Sequence, residues 1–550
     1  MSQRHAPPFD RPEPMAAADY LSHRGETSPR WRSSIVTIET LDQVPDADTL
    51  RRNLERATRT IPRLRQKVVA PLLPTTAPRW VLDTHFDLDF HLRRVSLPTP
   101  GGQRELLDLA EVIIQTPFDQ ARPLWTMTVV EGFAGDQAAL VTHHSQAVTD
   151  GSLATLMLHE FYDDGPQSPT LPMPPAPKAS DIGSVEVTRA GLAALPGATV
   201  SRAKSLVGGA FGAFTRLGQD PFVVLTSSQR YVESARRLVG PSALPVSPAL
   251  NHRGLRSRST SVEVDMADLR AAATRSGTTV NDAFLATVCG AARLYHQGVR
   301  RPVEAISISV PVNMRTVVDR LAATPTTGIL IAAPVAESDP GERMRLVHRL
   351  LLAGRIEPVL GALDALAPIM RPLPDPVLNA VAELRPVPDV QVRHVRGPRP
   401  EKFVAGARVL RAYLLCPRHR VAVMATLTSR AGRATITTRY DVAAVVHQDA
   451  WEEALAGAVA EVVGYGAGGE PVVVAPPAIA GKPRPRRARR PGPAPVDVPE
   501  PVDVPAPVDV PESVDVPEPR APGRPRAPRA PRAPRVTRTP GALGPPSTSP

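Results

Sequence analysis

Two adjacent histidines stand at the end of an apolar stretch, and a carboxylate and a glycine follow them closely. The segment VTHHSQAVTDG covers residues 141 to 151, with His143 and His144 followed by Asp150 and Gly151. An imidazole titrates near neutral pH, and a histidine held at a strand end is placed to act as a general base. The Asp-Gly pair indicates a tight turn whose carboxylate can lock the loop. A buried histidine without a chemical role is the alternative interpretation.

A metal site is a weaker interpretation of the same residues. Side chains alternate along a strand, so His143 and His144 point to opposite faces, and no third ligand beside Asp150 is obvious. The chain has two cysteines, Cys289 and Cys416, each inside an apolar segment. This favours buried free thiols in a reducing compartment over disulfides or a zinc site. We therefore expect no metal and a cytoplasmic protein.

The elements around the histidines alternate between strand and helix patterns. Residues 33–41 and 138–144 read as strands, and residues 46–68 read as a helix capped by an aspartate. Apolar residues at helical spacing follow in residues 152–164. The histidine pair is thus predicted to lie at the end of a strand that leads through a turn into a helix.

A second folded unit begins near residue 248. The pattern predicts a strand, two helices, two apolar strands, a hairpin around Ala431-Gly432 and a closing helix. These elements fall at residues 258–266, 267–277, 278–298, 304–315, 327–335, 420–441 and 449–466.

Two segments of biased composition separate or follow these units. Residues 163–180 form a proline-rich linker, and residues 194–218 form a small-residue helical stretch that suits a crossover. Beyond residue 470, Pro-Val-Asp-Val repeats and an arginine-rich run predict no packed structure. The predicted organisation is therefore an N-terminal subdomain at 1–160, a crossover at 161–247, a C-terminal subdomain at 248–470 and a disordered tail at 471–550.

Charge and hydropathy limit the partners that the chain is expected to bind. The net charge is +11 and the pI is about 10.2, but many of the surplus arginines lie in the tail. No run reaches the roughly 18 apolar residues of a membrane span. The tail lacks aromatic residues that could stack on bases, so we expect no specific nucleic acid. A solvated spacer and adhesion to an anionic membrane, with the protein peripheral at the inner membrane face, are the alternatives for the tail.

Further motifs follow the histidine stretch in a recognisable order. They are RPLW at Arg122–Trp125, TVNDAFLA at Thr279–Ala286, VPVNMR at Val310–Arg315, TTGILIAAPVAESDPGERM at 326–344 and VRGPRPEKFVAGARV at 395–409. In this order the chain resembles the bacterial wax ester synthase/diacylglycerol acyltransferase family. The resemblance spans roughly residues 10–465 and leaves the tail outside.

The resemblance implies a fold and a reaction. The fold class is α/β (α+β), with two chloramphenicol-acetyltransferase-like subdomains and a tunnel between them. Acyl-CoA enters as a substrate, no cofactor is needed, and the acceptor is an alcohol or diacylglycerol. In the family motif His-His-x-x-x-Asp-Gly the second histidine deprotonates the acceptor hydroxyl, and the alkoxide attacks the thioester. Asp150 and Gly151 would shape the loop, and Arg65 is the expected partner of that aspartate.

The chain departs from the family motif at the catalytic position. Five residues separate His144 from Asp150 where the family has three, and an alignment without a gap places Ser145 and Gln146 at the two histidine positions. Glutamine has no proton affinity near neutral pH. Two outcomes therefore remain open. In the first, a two-residue bulge carries His144 into the catalytic position, or a water held by Gln146 relays the proton. In the second, acyl transfer is weakened or lost, and in the latter case the chain is a noncatalytic acyl-CoA- or lipid-binding protein.

Two residues outside the first subdomain are expected to contact substrate. Asn281, beside Asp282, would lie near the tunnel, with a helix N-terminal cap as the equal alternative. Arg315 would hold an anionic CoA phosphate or else the domain interface. Trp125 is interpreted as packing, and the family's Gly-Asn is replaced here by Gly328-Ile329.

Overall fold

The computed structural model describes most of the chain up to residue 477. The described residues are 12–73, 76–148, 160–167, 169–177, 182–193, 245–311, 328–354, 375, 378, 383, 387–468 and 474–477. Asp150, Gly151, Arg315, the predicted helical stretch 194–218 and nearly all of the predicted tail lie outside them. The chain divides after residue 481, and everything described belongs to the first unit. Strands and helices are numbered below in chain order.

A six-stranded sheet organises the first half of the molecule. In spatial order its strands are β12 Phe403–Val404, β13 Ala407–Leu415, β2 Ser34–Leu41, β7 Gln137–Ser145, β6 Trp125–Phe133 and β5 Leu92–Ser96. All neighbours pair antiparallel except β5 and β6, which are parallel. A small sheet pairs β1 Glu13–Pro14, β4 Arg79–Leu82 and β3 Gln66–Val69 in that order.

A second six-stranded sheet organises the other half. In spatial order its strands are β10 Gly328–Pro334, β9 Ala305–Pro311, β11 Val390–Arg396, β14 Val423–Arg430, β15 Arg433–Asp441 and β8 Ser257–Asp265. Strand β11 pairs parallel with both β9 and β14. The hairpin predicted around Ala431-Gly432 is the β14–β15 pair, with both residues at positive φ. Two sheets with helices agree with the predicted α/β (α+β) class.

Helices cover these sheets. Those described are α1 Ala17–Gly25, α2 Ala47–Thr60, α3 Leu88–His91, α4 Gln103–Gln115, α5 Ser184–Ala193, α6 Met266–Ser276, α7 Val280–Gly298, α8 Pro340–Gly354 and α9 Gln448–Gly466. None of these helices combines the length and the apolar composition of a membrane-spanning segment.

Local signals set where several helices begin and end. The Asp46 side chain accepts a 2.9 Å hydrogen bond from the Thr49 amide and caps α2 as predicted. The predicted continuation of this helix to residue 68 was wrong. Pro62 lacks an amide proton and cannot extend an α-helix, so a short 3₁₀ helix, Pro62–Arg65, leads into β3. Gly277 ends α6 in the left-handed conformation, with φ 70°.

Alternation along the strands divides the core of the first half into two layers. On β7, Leu140 packs with Leu54 of α2 on one face, and Val141 packs with Ile114 of α4 on the other. The second half has a single large cluster, in which helix α7 is almost completely buried. The histidine pair therefore lies on a strand that is covered on both faces.

One segment crosses between the halves. Residues 403–415 fall within the predicted C-terminal subdomain at 248–470, but their strands β12 and β13 pair with the first sheet, with Tyr413 opposite Ile38. This pairing provides hydrogen-bond partners for the backbone N–H and C=O groups on the edge of β2, which would otherwise be unpaired. The sequence order gave no sign of it, and the predicted 248–470 boundary does not describe the strand pairing.

Candidate functional site

His144 lies near the end of β7, on the face of the sheet that packs against α2. It stands opposite Ile35 of β2 and Trp125 of β6. Its half-buried side chain borders a small apolar cavity, together with side chains such as Leu54 and Phe161. The cavity volume is about 10 Å³, which is roughly the space of one water molecule. A substrate atom could reach this ring only if the surrounding side chains moved.

The surroundings of His144 keep its imidazole neutral. Burial, followed by the nearby Arg393 guanidinium, lowers the His144 pKa to about 4. The Nδ1 atom is buried and has no hydrogen-bond partner among the described residues. Arg393 belongs to β11 of the second sheet, so the ring lies on the side of the first sheet that approaches the second. At neutral pH the ring is an unprotonated base, although a weak one.

His143 points to the opposite face and has a different environment. It is 3% exposed and stacks on the Phe118 ring, with the ring centroids 4.2 Å apart. Burial, with His144 and the arginines Arg32 and Arg93, lowers its pKa to about 3. The two imidazoles therefore do not converge on one point. In the described part of the chain, no group of three His, Cys, Asp or Glu side chains is arranged to hold a metal ion.

Ser145 occupies the first of the two family histidine positions and has a structural partner. Its hydroxyl donates a 2.7 Å hydrogen bond to Glu26 Oε1, and the Ser34 hydroxyl donates a 2.8 Å bond to Glu26 Oε2. Glu26 is fully buried, and burial raises its pKa against the effect of these hydrogen bonds. Sequence reasoning missed Glu26, because it lies 119 positions from Ser145 and outside every motif.

Gln146 occupies the second position, in the turn after β7. Its backbone amide donates a 3.0 Å hydrogen bond to the Ser33 carbonyl, and its side chain is half-buried. This amide fixes the turn close to the end of β2. Gln146 and His144 therefore belong to different local structures, the first to the turn and the second to the strand.

Arg65 has several partners among the described residues. Its guanidinium lies 2.6 Å from Glu55 Oε1, donates a 3.0 Å bond to the Thr58 hydroxyl and lies over the Phe86 ring. Its pairing with Asp150 stays a prediction, since Asp150 lies outside the described residues. In the described region Arg65 connects the end of α2 with the loop before α3.

The residues at the start of α7 act as a helix cap. Asp282 Oδ2 accepts hydrogen bonds from the Thr279 amide, 2.9 Å, and the Thr279 hydroxyl, 2.8 Å. The His348 Nδ1 atom lies 2.8 Å from the same oxygen. Asp282 therefore takes part in capping the N-terminus of α7, which is the alternative given above. Asn281 is half-buried in the first turn of the helix. Arg315 lies outside the described residues, and the substrate-binding roles of both residues stay predictions.

Trp125 packs as interpreted from the sequence. It is 2% exposed, donates a 2.8 Å hydrogen bond from Nε1 to the Leu64 carbonyl and stacks on His91 at 4.4 Å. His91, which sequence reasoning did not single out, contacts the Trp125 carbonyl through Nδ1 at 2.7 Å. Burial lowers its pKa to about 4. These contacts support the wall of the His144 cavity.

Comparisons with known proteins identify relatives of this chain. The profile of the wax ester synthase/diacylglycerol acyltransferase catalytic domain matches residues 13–284. Two Mycobacterium tuberculosis relatives named as putative diacylglycerol O-acyltransferases, from strains CDC 1551 and H37Rv, are each 39% identical over 460 residues. The match covers 84% of this chain and 94% of theirs.

Solved structures resemble the fold. A wax ester synthase/diacylglycerol acyltransferase from Marinobacter aquaeolei VT8 matches with a TM-score of 0.54 at 22% identity, covering 83% of this chain and 100% of that one. The starter condensation domain of rhizomide synthetase matches with a TM-score of 0.50 at 11% identity, covering 83% and 94%.

The two sheets and their helices have the chloramphenicol-acetyltransferase-like fold of these solved structures. The match to the catalytic-domain profile and to the named relatives identifies the chain as an acyltransferase enzyme. The relatives that match over most of their length make the assignment more specific. The chain belongs to the wax ester synthase/diacylglycerol acyltransferase family.

Proposed function

We propose that this protein transfers an acyl group from acyl-CoA to the hydroxyl of a long-chain alcohol or a diacylglycerol, with His144 as the general base. Family membership supports the reaction class. The observation that carries the choice of base is the neutral His144 ring, whose Nδ1 has no partner among the described residues. His143 is less suitable, because it is stacked and buried on the far face of the strand.

The proposed acyl transfer is direct and forms no covalent acyl-enzyme. The His144 imidazole accepts the hydroxyl proton while the acceptor oxygen bonds to the thioester carbonyl carbon. The carbon–sulfur bond then breaks, and the CoA sulfur leaves with the proton that the imidazolium returns. The Arg393 guanidinium near the ring would stabilise negative charge that develops in this step. No cofactor takes part, since CoA enters as part of the substrate.

The geometry also favours a second candidate, a noncatalytic acyl-CoA- or lipid-binding protein. The cavity beside His144 has a volume of only about 10 Å³, and Gln146 holds the position of the family's base. A base moved by about one ångström can lose a hundredfold in rate. In this alternative the fold still binds the substrate but lacks a positioned proton acceptor.

Release of free thiol from acyl-CoA separates the two candidates. Purified full-length protein is incubated with palmitoyl-CoA and either hexadecanol or dioleoylglycerol, and the thiol and the ester product are measured. The His144→Ala variant should lose about a hundredfold or more in rate if His144 is the base. His85→Ala is the matched control, because His85 is exposed. Absence of thiol release above background would leave the binding candidate.

We further propose that the protein acts at a lipid surface, either the inner membrane face or a lipid droplet, from the cytoplasmic side. The net charge of +11 and the arginine-rich run at 520–535 support attraction to anionic lipid. Flotation with vesicles containing phosphatidylglycerol tests this. The full chain should bind these vesicles more tightly than a chain of residues 1–477, and added salt should reduce the difference. Equal binding by the two chains would assign the tail the role of a spacer.

A further inference from the structure

A cleft rich in arginine lies beside the end of β7, away from the His144 cavity. Its volume is about 320 Å³. The arginines that line it are Arg30, Arg32, Arg253, Arg418, Arg420 and Arg439. His419 also contributes, and no Asp or Glu is among the described residues of the lining. The cleft has room for a hydrated phosphate group, and its wall is lined by guanidinium groups.

Carboxylates outside the lining pair with four of these arginines. Arg30 lies 3.5 Å from Glu383 and Arg253 lies 3.9 Å from Asp389, and the other two pairs are shorter. Arg439 Nε lies 3.0 Å from Glu111 Oε1, and Arg418 Nη1 lies 2.8 Å from Asp441 Oδ2. Both arginines are less than a tenth exposed. Buried ion pairs of this kind fix guanidinium groups in position before a ligand arrives.

Arg32 has no such partner. Its guanidinium contacts backbone carbonyls, Glu26 at 3.4 Å and Gln115, and forms no ion pair within 4 Å among the described residues. Burial, with repulsion from Arg439, lowers its pKa, while the Glu26 charge opposes the shift. An anion in the cleft would compensate charge that the described residues leave unbalanced.

The cleft is connected to the candidate site through β2. Ser34 lines the cleft and pairs directly with Ser145 at the end of β7. Arg32 is also close enough to His143 to lower its pKa. A ligand held in the cleft would therefore lie beside the turn that carries Gln146.

We propose that this arginine cleft binds a phosphate group of the CoA moiety and so selects CoA thioesters over thioesters that lack phosphate. The inference rests on the proposed function, since it assumes acyl-CoA as the donor. Guanidinium groups bind phosphate through paired, charge-assisted hydrogen bonds, and six of them surround this cavity. The phosphate of an anionic lipid headgroup has the same chemistry, and the experiment distinguishes the two sources.

Calorimetric titration of the full-length chain with CoA, 3′-dephospho-CoA and pantetheine tests the inference. CoA should bind at least tenfold more tightly than pantetheine, and the difference should shrink as salt rises. Arg32→Gln should weaken CoA binding by roughly tenfold and leave pantetheine unchanged, and Arg32→Lys should recover part of the loss.

A second variant guards against a folding defect. Arg30 is 57% exposed, so Arg30→Gln leaves the packing intact and should also weaken CoA binding, by a smaller factor. Arg51→Gln is the matched control, since Arg51 pairs on the surface with Asp89, away from the cleft.

Three results would overturn the inference. The first is equal affinity for CoA and pantetheine, and the second is CoA affinity that is unchanged in both cleft variants. The third is cleft-dependent binding of phosphatidic acid vesicles without binding of CoA. These titrations need no turnover, so an inactive protein that binds CoA in the cleft would contradict the proposed function and leave this inference standing.

Discussion

The Ser145 hydroxyl and the Glu26 carboxyl group are joined by a 2.7 Å hydrogen bond across 119 positions of sequence. This bond occupies the place where an aligned family motif would put its first histidine. Because Ser34 donates to the other carboxyl oxygen, the ends of β2 and β7 share one buried acceptor. Ser145, the residue next to the candidate base, therefore has a structural role, because its hydrogen bond to Glu26 connects two strands.

Removing the Ser145 hydroxyl should destabilise the fold. Ser145→Ala deletes one donor to a fully buried acceptor, with an expected cost of about 1–3 kcal/mol in the free energy of unfolding. Denaturant unfolding measures this cost. Ser28→Ala is a suitable control, since Ser28 lies on the half-buried turn after α1. Equal losses in the two variants would contradict a special role for Ser145.

Glu26 should impose a pH dependence on stability. Burial raises its folded-state pKa above 4.5, so the native state binds more protons than the unfolded state above that pH. Its contribution is therefore greatest below pH 4.5 and is lost as pH rises through the folded pKa. Glu26→Gln does not titrate, and the difference between wild type and variant should shift in favour of the variant as pH rises. A difference independent of pH would contradict the raised pKa.

Placing a histidine at position 146 distinguishes between the two candidate functions. Gln146→His restores the family residue in the turn after β7, where a positioned base contributes about a hundred- to ten-thousandfold. If the wild-type chain lacks a base, thiol release should rise by about a hundredfold. If His144 already acts as the general base, the rate should change by less than about threefold. The Gln146→Asn variant is the control for a change in turn geometry.

The acid limb of the rate profile should identify the base. With a His144 pKa of about 4, kcat/KM should stay level from about pH 8 to pH 5 and fall by half near pH 4. Circular dichroism at each pH confirms that the protein stays folded. A midpoint near the ordinary histidine value of about 6.5 would assign the proton to another group.

A buried ion pair joins the two sheets. Arg430 Nη2 of β14 lies 2.5 Å from Glu39 Oε1 of β2, and the Tyr162 hydroxyl donates to Oε2 of the same carboxylate. Arg430→Met should cost about 3–5 kcal/mol, because it leaves a buried charge unpaired. The double variant with Glu39→Leu should recover a large part of that loss. Thermal unfolding measures the stability of the single and the double variant. If Glu39→Leu adds a further loss of stability to that of Arg430→Met, the pairing is contradicted.

Local features of the fold could be predicted because short-range chemistry determines them. Asp46 caps α2, Gly277 ends α6 and the Ala431-Gly432 turn closes the β14–β15 hairpin, each through contacts only a few residues apart. A local error among the described residues, the helix extended past Pro62, ignored a proline whose effect is equally local.

The sequence by itself determined the family, the alternation of strands and helices, and the altered spacing between His144 and Asp150. Only the tertiary structure decided which face each histidine occupies, that β13 joins the first sheet, and that Glu26 holds Ser145. The arginine cleft belongs to this second group, since Arg32 and Arg439 lie about four hundred positions apart. Contacts at such separation leave no periodic or spacing signal, because they form only when distant segments pack together.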